Sequence, residues 1–470
     1  MLAEIKGLNE ECGVFAIWGH EKAAEVAYYG LHALQHRGQE GAGIVTSDGE
    51  ALHLHKGNGL INEVFEQDEF SRLKGNSALG HVRYATQGGG GYENVQPLVF
   101  RSQKESMALA HNGNLVNAYA LKNQLEAQGS ILQTTSDTEV LAHLIKRSGH
   151  LAMDEAIIQA LSMIKGAYAF SIMTEKQLFV ALDPRGLRPL SLGMLGGSYV
   201  ISSETCAFDV IGASYIREIE PGELLIIDEN GLHSRKFASP IQRTLCSMEY
   251  VYFSRPDSNL DGVNVHASRK TMGKELAYEA PIDADVVTGV PDSSISAAIG
   301  FSEATGIPYE LGLIKNRYVG RTFIQPSQEL REQGVKMKLS AVRGIVEGKR
   351  VVMVDDSIVR GTTSKRIVRL LKEAGATEVH VRIASPPIEN PCYYGIDTST
   401  KGELIASNHS TEEIRELIGA DSLAYLTTAG LEKSIVKKKD MLEHGICNAC
   451  FTGNYPTEIY PETVLPLEKG

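Results

Sequence analysis

The stretch 350–364, RVVMVDDSIVRGTTS, sets an apolar run directly against two adjacent carboxylates and a turn rich in Gly, Thr and Ser. Val351 to Val354 read as a strand of the kind buried on both faces in a parallel sheet. Ligands of open α/β sheets bind at the carboxyl ends of such strands. A helix opening near Thr363 would aim its free backbone N–H groups at the loop, which suits a phosphate, and Thr362, Thr363 and Ser364 add hydroxyl donors. Adjacent carboxylates would repel that phosphate, so Asp355 and Asp356 make better sense facing sugar hydroxyls or a Mg²⁺ ion, which takes oxygen ligands. The plainer alternative is a polar strand end and helix cap.

Strands and helices alternate on both sides of this stretch. ADVVTGV (284–290) precedes SSISAAIGFSEATG (293–306), and TTSKRIVRLLKEAG (362–375) precedes TEVHVRIASPP (377–387). This rhythm predicts parallel strands with crossover helices. The first half has a different character: short apolar runs such as GVFAIWG (13–19), MALAHNGN (107–114) and LFVALD (178–183), punctuated by turn residues. Helices are expected at 21–37, with Val26, Tyr29 and Ala33 on one stripe and a cationic His36–Arg37 end before Gly38, and from TTSDTEVLAHLIKRSG (134–149). The change falls near residue 240.

The composition agrees with two large units, since 470 residues exceed what one core of about 250–300 residues holds. A net charge of -12 argues against a general nucleic-acid binder, and no run approaches the about 20 apolar residues of a membrane span. The leader before Cys12, MLAEIKGLNEE, is too charged for a secretory signal. A cytoplasmic protein is the expectation, and its six cysteines are too few for a disulfide scaffold.

The strand, acidic pair and GTTS loop together resemble the phosphoribosylpyrophosphate (PRPP) motif of the type I phosphoribosyltransferases. The resemblance implies that Ser357, Arg360, Gly361, Thr362, Thr363 and Ser364 hold the 5′-phosphate side, and that Asp355 and Asp356 hold ribose hydroxyls or metal. VVTGVPDSS (286–294) would supply the pyrophosphate side, with Ser293 a hydroxyl linked to Mg²⁺. Residues 315–344 set seven cations, among them Lys338 and Arg343, against Glu329 and Glu332. A solvated basic face would account for them. Beside a pyrophosphate they read better as a PRPP-binding lid.

The first half carries candidates for amide cleavage. HVRYAT (81–86) gives Arg83, whose fork can take a carboxylate in a bidentate pair. HNGNL (111–115) gives the Asn112 amide and the Gly113 N–H for an oxyanion hole, and Asp137 suits an α-ammonium. Each has a duller reading: a hairpin turn for Asn112–Gly113, an exposed charge for Arg83, a helix cap for Asp137. In this order after Cys12 they resemble the class II glutamine amidotransferase domain of the N-terminal-nucleophile hydrolases. In such enzymes the nucleophile is the first residue and its own α-amine is the base. That amine, with a pKa near 7.7, is roughly 40% neutral at pH 7.5. Thr86 joins Arg83 and Asp137 as a glutamine contact on the same resemblance.

LQHRGQEGAGI (34–44), GHVRYAT (80–86), LAHNGNL (109–115), DPRGLRPL (183–190) and NRYVGRTFIQPSQ (316–328) extend the likeness along the chain to the glutamine PRPP amidotransferase family. The fold implied is an α+β N-terminal-nucleophile domain, an αββα sandwich, followed by an α/β type I phosphoribosyltransferase domain with a parallel sheet. Residues 1–11 would be a propeptide, 12–240 the glutaminase, and 241–470 the transferase with a C-terminal Fe–S-binding segment. Cys246, Cys392, Cys447 and Cys450 match the members that carry a 4Fe–4S cluster, although four thiols without an adjacent His pair also suit structural Zn²⁺. Cys206 matches no ligand position and reads as a buried small residue. The resemblance further implies Mg²⁺, a homotetramer, and inhibition by the purine nucleotides AMP, GMP and ADP. No asparagine-synthetase pyrophosphatase loop, sugar isomerase domain or basic DNA-binding module competes with this reading.

Overall fold

A computed structural model describes residues 12–84, 91–103, 105–239, 241–316, 339–396, 398, 400–435 and 445–460. Met1–Glu11, Thr86, Lys338 and most of the 315–344 stretch therefore lie outside the described residues.

In the first half, short strands build two stacked antiparallel sheets. One runs in the order Ser214–Glu218, Ser191–Leu195, Ser198–Ser202, Gly13–Trp18, Ser77–Arg83, Gly41–Ser47, Leu52–Asn58. The other runs Gly231–Lys236, Glu223–Asp228, Leu178–Leu182, Gly166–Met173, Met107–Leu115, Leu98–Phe100. Alternation along Gly13–Trp18 explains its fully apolar sequence. Val14 and Ala16 point into the seam between the sheets with Ala108, Ala110 and Val180, whereas Phe15 and Ile17 pack under the helices Ala23–Ala33 and Cys206–Ile211. Helices Ala118–Ala127, Thr138–Arg147 and Met153–Met163 cover the second sheet. The layers are αββα.

The Ala23–Ala33 helix departs from the expected stripe. Tyr29 is 57% exposed, and the buried face is Ala23, Ala27, Gly30 and Leu31. The cause is distance: a Cβ on Gly30 would sit 2.3 Å from the Phe15 ring, so small residues mark the packed face and the large aromatic lies outside. A 3₁₀ turn, Gln35–Arg37, then carries Arg37 into the interior instead of leaving it at the helix end as a surface cation.

In the second half, Val286–Gly289, Arg350–Asp355, Glu378–Ile383 and Ser422–Tyr425 form a parallel sheet in that spatial order. Val352 and Val354 face the helices Val265–Glu279 and Ile295–Thr305. Val351 and Met353 face Thr362–Glu373 and Thr411–Ile418. The Arg350–Asp355 strand is thus apolar on both faces, as its unbroken VVMV run requires.

The two halves are joined by polar and apolar contacts. Thr244–Cys246 pairs in parallel with Gly445–Cys447, and Tyr394, Cys447 and Ala449 pack on Val116, Ala167 and Leu187. Asn114 Nδ2 donates to the Tyr393 carbonyl at 2.9 Å. Half-buried Glu218 accepts from Ser191 Oγ at 2.9 Å and lies beside the Arg243–Asp261 ion pair (2.7 Å). Burial, against the pull of Arg243, pushes the Glu218 carboxyl up to about 7.

Candidate active sites and a cysteine cavity

Cys12 leads into the Gly13–Trp18 strand. Gly13 pairs with Val82, so the next step of the antiparallel register sets Cys12 opposite Arg83. Val14 and His81, also opposite one another, point into the seam between the sheets, so Cys12 and Arg83 share that side by the two-residue period. On the facing sheet Ala108 and Ala110 line the same seam, and Asn112 follows them by the same alternation. His81 ties the sheets together here, its Nε2–H donating to the His111 carbonyl at 3.1 Å. Burial pushes the His81 imidazole down to about 3, so this ring is a neutral strut and not a base.

Asn112–Gly113 is not a hairpin turn; it lies inside the Met107–Leu115 strand. The Asn112 side chain is fully buried, and neither amide atom has a hydrogen-bond partner among the described residues. A buried polar group is ordinarily paired, so an amide left without a partner here suits a bound ligand. Gly113 has φ +140°, and a Cβ there would lie 2.1 Å from the Ala167 carbonyl oxygen. Only glycine fits.

Cys12 is half-buried, with its Sγ 3.6 Å from the Tyr84 carbonyl. Arg83 is buried, and Lys56 stands within its field: burial first, then the Arg83 charge, pushes the Lys56 amine down to about 8. Two cations crowded together suit an anionic ligand group. Lys56 was not among the expected site residues; the LHLHKGN strand looks like any half-buried edge. Asp137, just before the Thr138–Arg147 helix, accepts the Leu115 N–H at 2.9 Å and lies 3.6 Å from His111 Nδ1. Burial alone would raise its carboxyl, but His111, Leu115 and Lys122 together hold it below the usual range.

Arg37 is the residue that sequence reasoning missed. Its Nε–H donates to the Cys12 carbonyl at 3.1 Å, and its other nitrogens reach Glu204 at 2.6 Å and Glu249 at 2.8 and 2.9 Å. All three side chains are fully buried.

In the second half, Gly289 pairs with Val354, so two neighbouring strands end on the same side and deliver their loops together. Ser294 Oγ donates to Asp355 at 3.0 Å, Ser357 Oγ donates to Asp356 at 2.7 Å, and Ser293 Oγ donates to Asp356 as well. Both carboxyls are pushed up, Asp355 by burial and by its neighbour Asp356, and Asp356 by burial. Gly361 has φ +75°, and a Cβ there would lie 2.7 Å from Ile405, so the loop turns tightly into the Thr362–Glu373 helix. Ser364 is buried in its first turn. Arg360 pairs with Glu403 at the rim of an open pocket that Gly361, Thr362 and Lys365 also line. Lys315 reaches Asp292 of the neighbouring loop at 3.2 Å. Arg343 is elsewhere: it contacts Glu347 and the Glu373 carbonyl, at the far end of the Thr362–Glu373 helix from the loop.

Four of the six cysteines converge. Cys246 and Cys447 are register partners, and with Cys392 and Cys450 they line one enclosed cavity together with Arg188 and Tyr394. The Cys450 carbonyl accepts from Glu389 and Asn390 at 3.0 Å, which ties the Cys392 segment to the C-terminal pair. Burial pushes the Cys447 thiol up to about 12 and Cys450 well up, with the neighbouring thiols adding to both. Among the described residues, no three or more His, Cys, Asp or Glu side chains are grouped as for a metal ion. Cys206 is buried beside Glu204, and burial followed by that charge raises its thiol far from reactivity.

Comparisons with known proteins match both halves of the chain. The family model "Glutamine amidotransferase domain" matches residues 81–210, and "Phosphoribosyl transferase domain" matches residues 265–391. An amidophosphoribosyltransferase of Bacillus subtilis (strain 168) is 73% identical over 470 residues, covering 100% of this chain and 99% of the relative. The chain belongs to the amidophosphoribosyltransferase family. Another amidophosphoribosyltransferase, from Staphylococcus aureus (strain COL), is 53% identical over 97% of this chain and 92% of its own length. The solved glutamine PRPP amidotransferase of B. subtilis, complexed with ADP and GMP, superposes with a TM-score of 0.92 at 71% identity, covering 97% of this chain and 99% of that one. The chain is an enzyme, a glutamine-dependent pentosyltransferase. Among the described residues, no helix is long and apolar enough to cross a membrane.

Proposed function

We propose that the chain transfers the amide nitrogen of glutamine to PRPP, giving 5-phosphoribosylamine, glutamate and pyrophosphate, the first committed step of purine synthesis. The observation that carries this reading is the Asn112 amide, fully buried and without a partner among the described residues, in the seam that Cys12 also faces. A preorganised donor of that kind is what a developing oxyanion needs.

Removal of Met1–Glu11 converts the Cys12 amide nitrogen into an amine, which takes the thiol proton as Sγ attacks the glutamine side-chain carbonyl. Asn112 and the Gly113 N–H hold the oxyanion. Arg83, with Thr86, grips the α-carboxylate, and Asp137, kept anionic by its surroundings, grips the α-ammonium. Ammonia leaves, water releases glutamate from the thioester, and the ammonia attacks C1 of PRPP as pyrophosphate departs.

The loop Gly361–Ser364 would receive the 5′-phosphate at the helix N-terminus, as Ser357 and Arg360 flank it. Ser293, Asp355 and Asp356 offer a hydroxyl and two buried carboxylates that repel one another, a donor set that fits Mg²⁺. Bound there, the ion would neutralise charge on the pyrophosphate. Cys246, Cys392, Cys447 and Cys450, which line one cavity, are the residues that would hold a 4Fe–4S cluster, and as thiolate ligands they would clamp the Thr244–Cys246 and Gly445–Cys447 strands to the Cys392 segment. The solved relative complexed with ADP and GMP supports feedback by purine nucleotides, and the homotetramer is carried over from the family resemblance alone. Both fit an enzyme at the head of a cytoplasmic pathway.

The test is a balance sheet of products. With amide-¹⁵N glutamine and PRPP, glutamate and pyrophosphate should appear in equal amounts and the label should enter the ribosylamine. Glutamate without pyrophosphate would reduce the protein to a glutaminase.

A further inference from the structure

The short segment between the Tyr92–Asn94 turn and the Leu98–Phe100 strand reaches both groups that would grip opposite ends of glutamine. Gln96 spans them with one side-chain amide. Its Oε1 accepts the His111 N–H at 2.7 Å, one residue before Asn112, and its Nε2–H donates to the Thr138 hydroxyl at 3.1 Å, one residue after Asp137. Thr138 Oγ also stands 3.3 Å from His111 Nδ1, so Gln96, Thr138 and His111 close a ring. Asn94 holds the other flank of Asp137. Its Oδ1 accepts the Thr135 and Ser136 N–H groups, each at 3.1 Å, and its Nδ2–H donates to Thr135 Oγ at 2.8 Å. Asn94, Gln96, His111, Ser136 and Thr138 are all buried. The segment is also backed by the Gly41–Ser47 strand, so closely that a Cβ on Gly43 would sit 2.4 Å from the Gln96 carbonyl oxygen.

We propose that Gln96 is a positioning residue that determines specificity: it fixes the separation between the Asp137 grip on the α-ammonium and the Asn112 oxyanion donor to the length of glutamine. The idea rests on the assignments of Asp137 and Asn112 made above. A pocket alone separates substrates that differ by one methylene by only about 10- to 200-fold. Holding both ends at a set distance does more, since misplacing the reacting carbonyl by about 1 Å costs about 100-fold. Asparagine, one methylene shorter, then satisfies Asp137 or Asn112 but not both. Gln96 acts through His111 and Thr138 and not on the substrate itself. An amide suits this task because it offers an acceptor and a donor on one planar group and carries no charge to titrate.

The experiment compares the processed holoenzyme with its Thr138→Val, Thr138→Ser and Gln96→Met variants. Each is alkylated at Cys12 by the diazomethyl ketone analogues of glutamine and of asparagine, with the site located by peptide mass, and glutamine hydrolysis and ammonium-dependent synthesis are measured alongside. Thr138→Val removes the hydroxyl and keeps the outline of the side chain. In this variant and in Gln96→Met, kcat/KM for glutamine should fall about 10- to 100-fold, and the preference of Cys12 for the glutamine analogue over the asparagine analogue should fall about 10-fold. Thr138→Ser keeps a hydroxyl and should keep the preference, while ammonium-dependent synthesis stays at the wild-type rate throughout. A purely structural role would slow both analogues alike. Either Thr138→Val or Gln96→Met decides the matter if the other does not fold. An unchanged preference in a folded variant overturns the proposal, as does a Thr138→Ser enzyme no better than Thr138→Val. Failure of the underlying assignment looks different: Asp137→Asn and Asn112→Ala would then hydrolyse glutamine at the wild-type rate.

Discussion

Replacement of Asn112 by alanine separates catalysis from folding in an unusual way. The side chain is fully buried and neither amide atom has a partner among the described residues, so the amide is desolvated without a compensating protein hydrogen bond there. An unsatisfied buried group costs about 1–3 kcal/mol, and Asn112→Ala removes that cost while giving up only a small side-chain volume. The variant should melt at or above the wild-type temperature. Catalysis should suffer: loss of one oxyanion donor lowers the rate about 100- to 1000-fold, or about 2.7–4 kcal/mol of transition-state stabilisation. Because the oxyanion exists only in the transition state, kcat for glutamine hydrolysis should fall with little change in KM. The assay is glutamate release from the processed enzyme, beside pyrophosphate release with ammonium as nitrogen source, which should be unaffected. Hydrolysis at the wild-type rate would refute the oxyanion role. A lower melting temperature with loss of both activities would mean that Asn112 is structural.

Asp356→Asn should abolish synthesis from glutamine and from ammonium alike, since both need the PRPP loop; an ammonium-dependent rate near wild type would remove the acidic pair from the site. Glu218, pushed up to about 7 by burial, binds a proton in the fold that the unfolded chain has released. Stability should therefore decline as pH rises from about 4.3 towards 7 and then level off, and Glu218→Gln should flatten that decline in melting curves taken across the range. Gly113→Ala places a Cβ 2.1 Å from the Ala167 oxygen at φ +140°, so it should lower the melting temperature and glutamine use together. Cys392→Ser should lower the iron and sulfide content of anaerobically purified protein, and retention of both would move the cluster elsewhere.

The transferase half could be read from sequence because a strand buried on both faces leaves an unbroken apolar run, and the acidic pair and GTTS loop abut it. The proposed glutaminase residues stand out only as a set, since Asn112–Gly113 alone reads equally well as a hairpin. Only the register of Met107–Leu115 against its neighbours places the amide in the seam. Four cysteines could be counted, but their meeting depends on pairing residues 244–246 with 445–447, about 200 positions away, which no local pattern encodes. Arg37 was misread for the same reason. A cation before a glycine looks like a helix end, and its carboxylate partners stand 167 and 212 residues further on. Tyr29 shows the converse: a large apolar residue on the helical stripe reads as core, but close packing reserves the buried face for Ala and Gly.

The central claim is that one chain makes ammonia at Cys12 and uses it at the Asp355–Asp356 loop. Cys12→Ala, assayed with PRPP and either glutamine or ammonium chloride, tests it most directly. The account predicts no pyrophosphate release with glutamine and a wild-type rate with ammonium; loss of both, or retention of glutamine use, would contradict it.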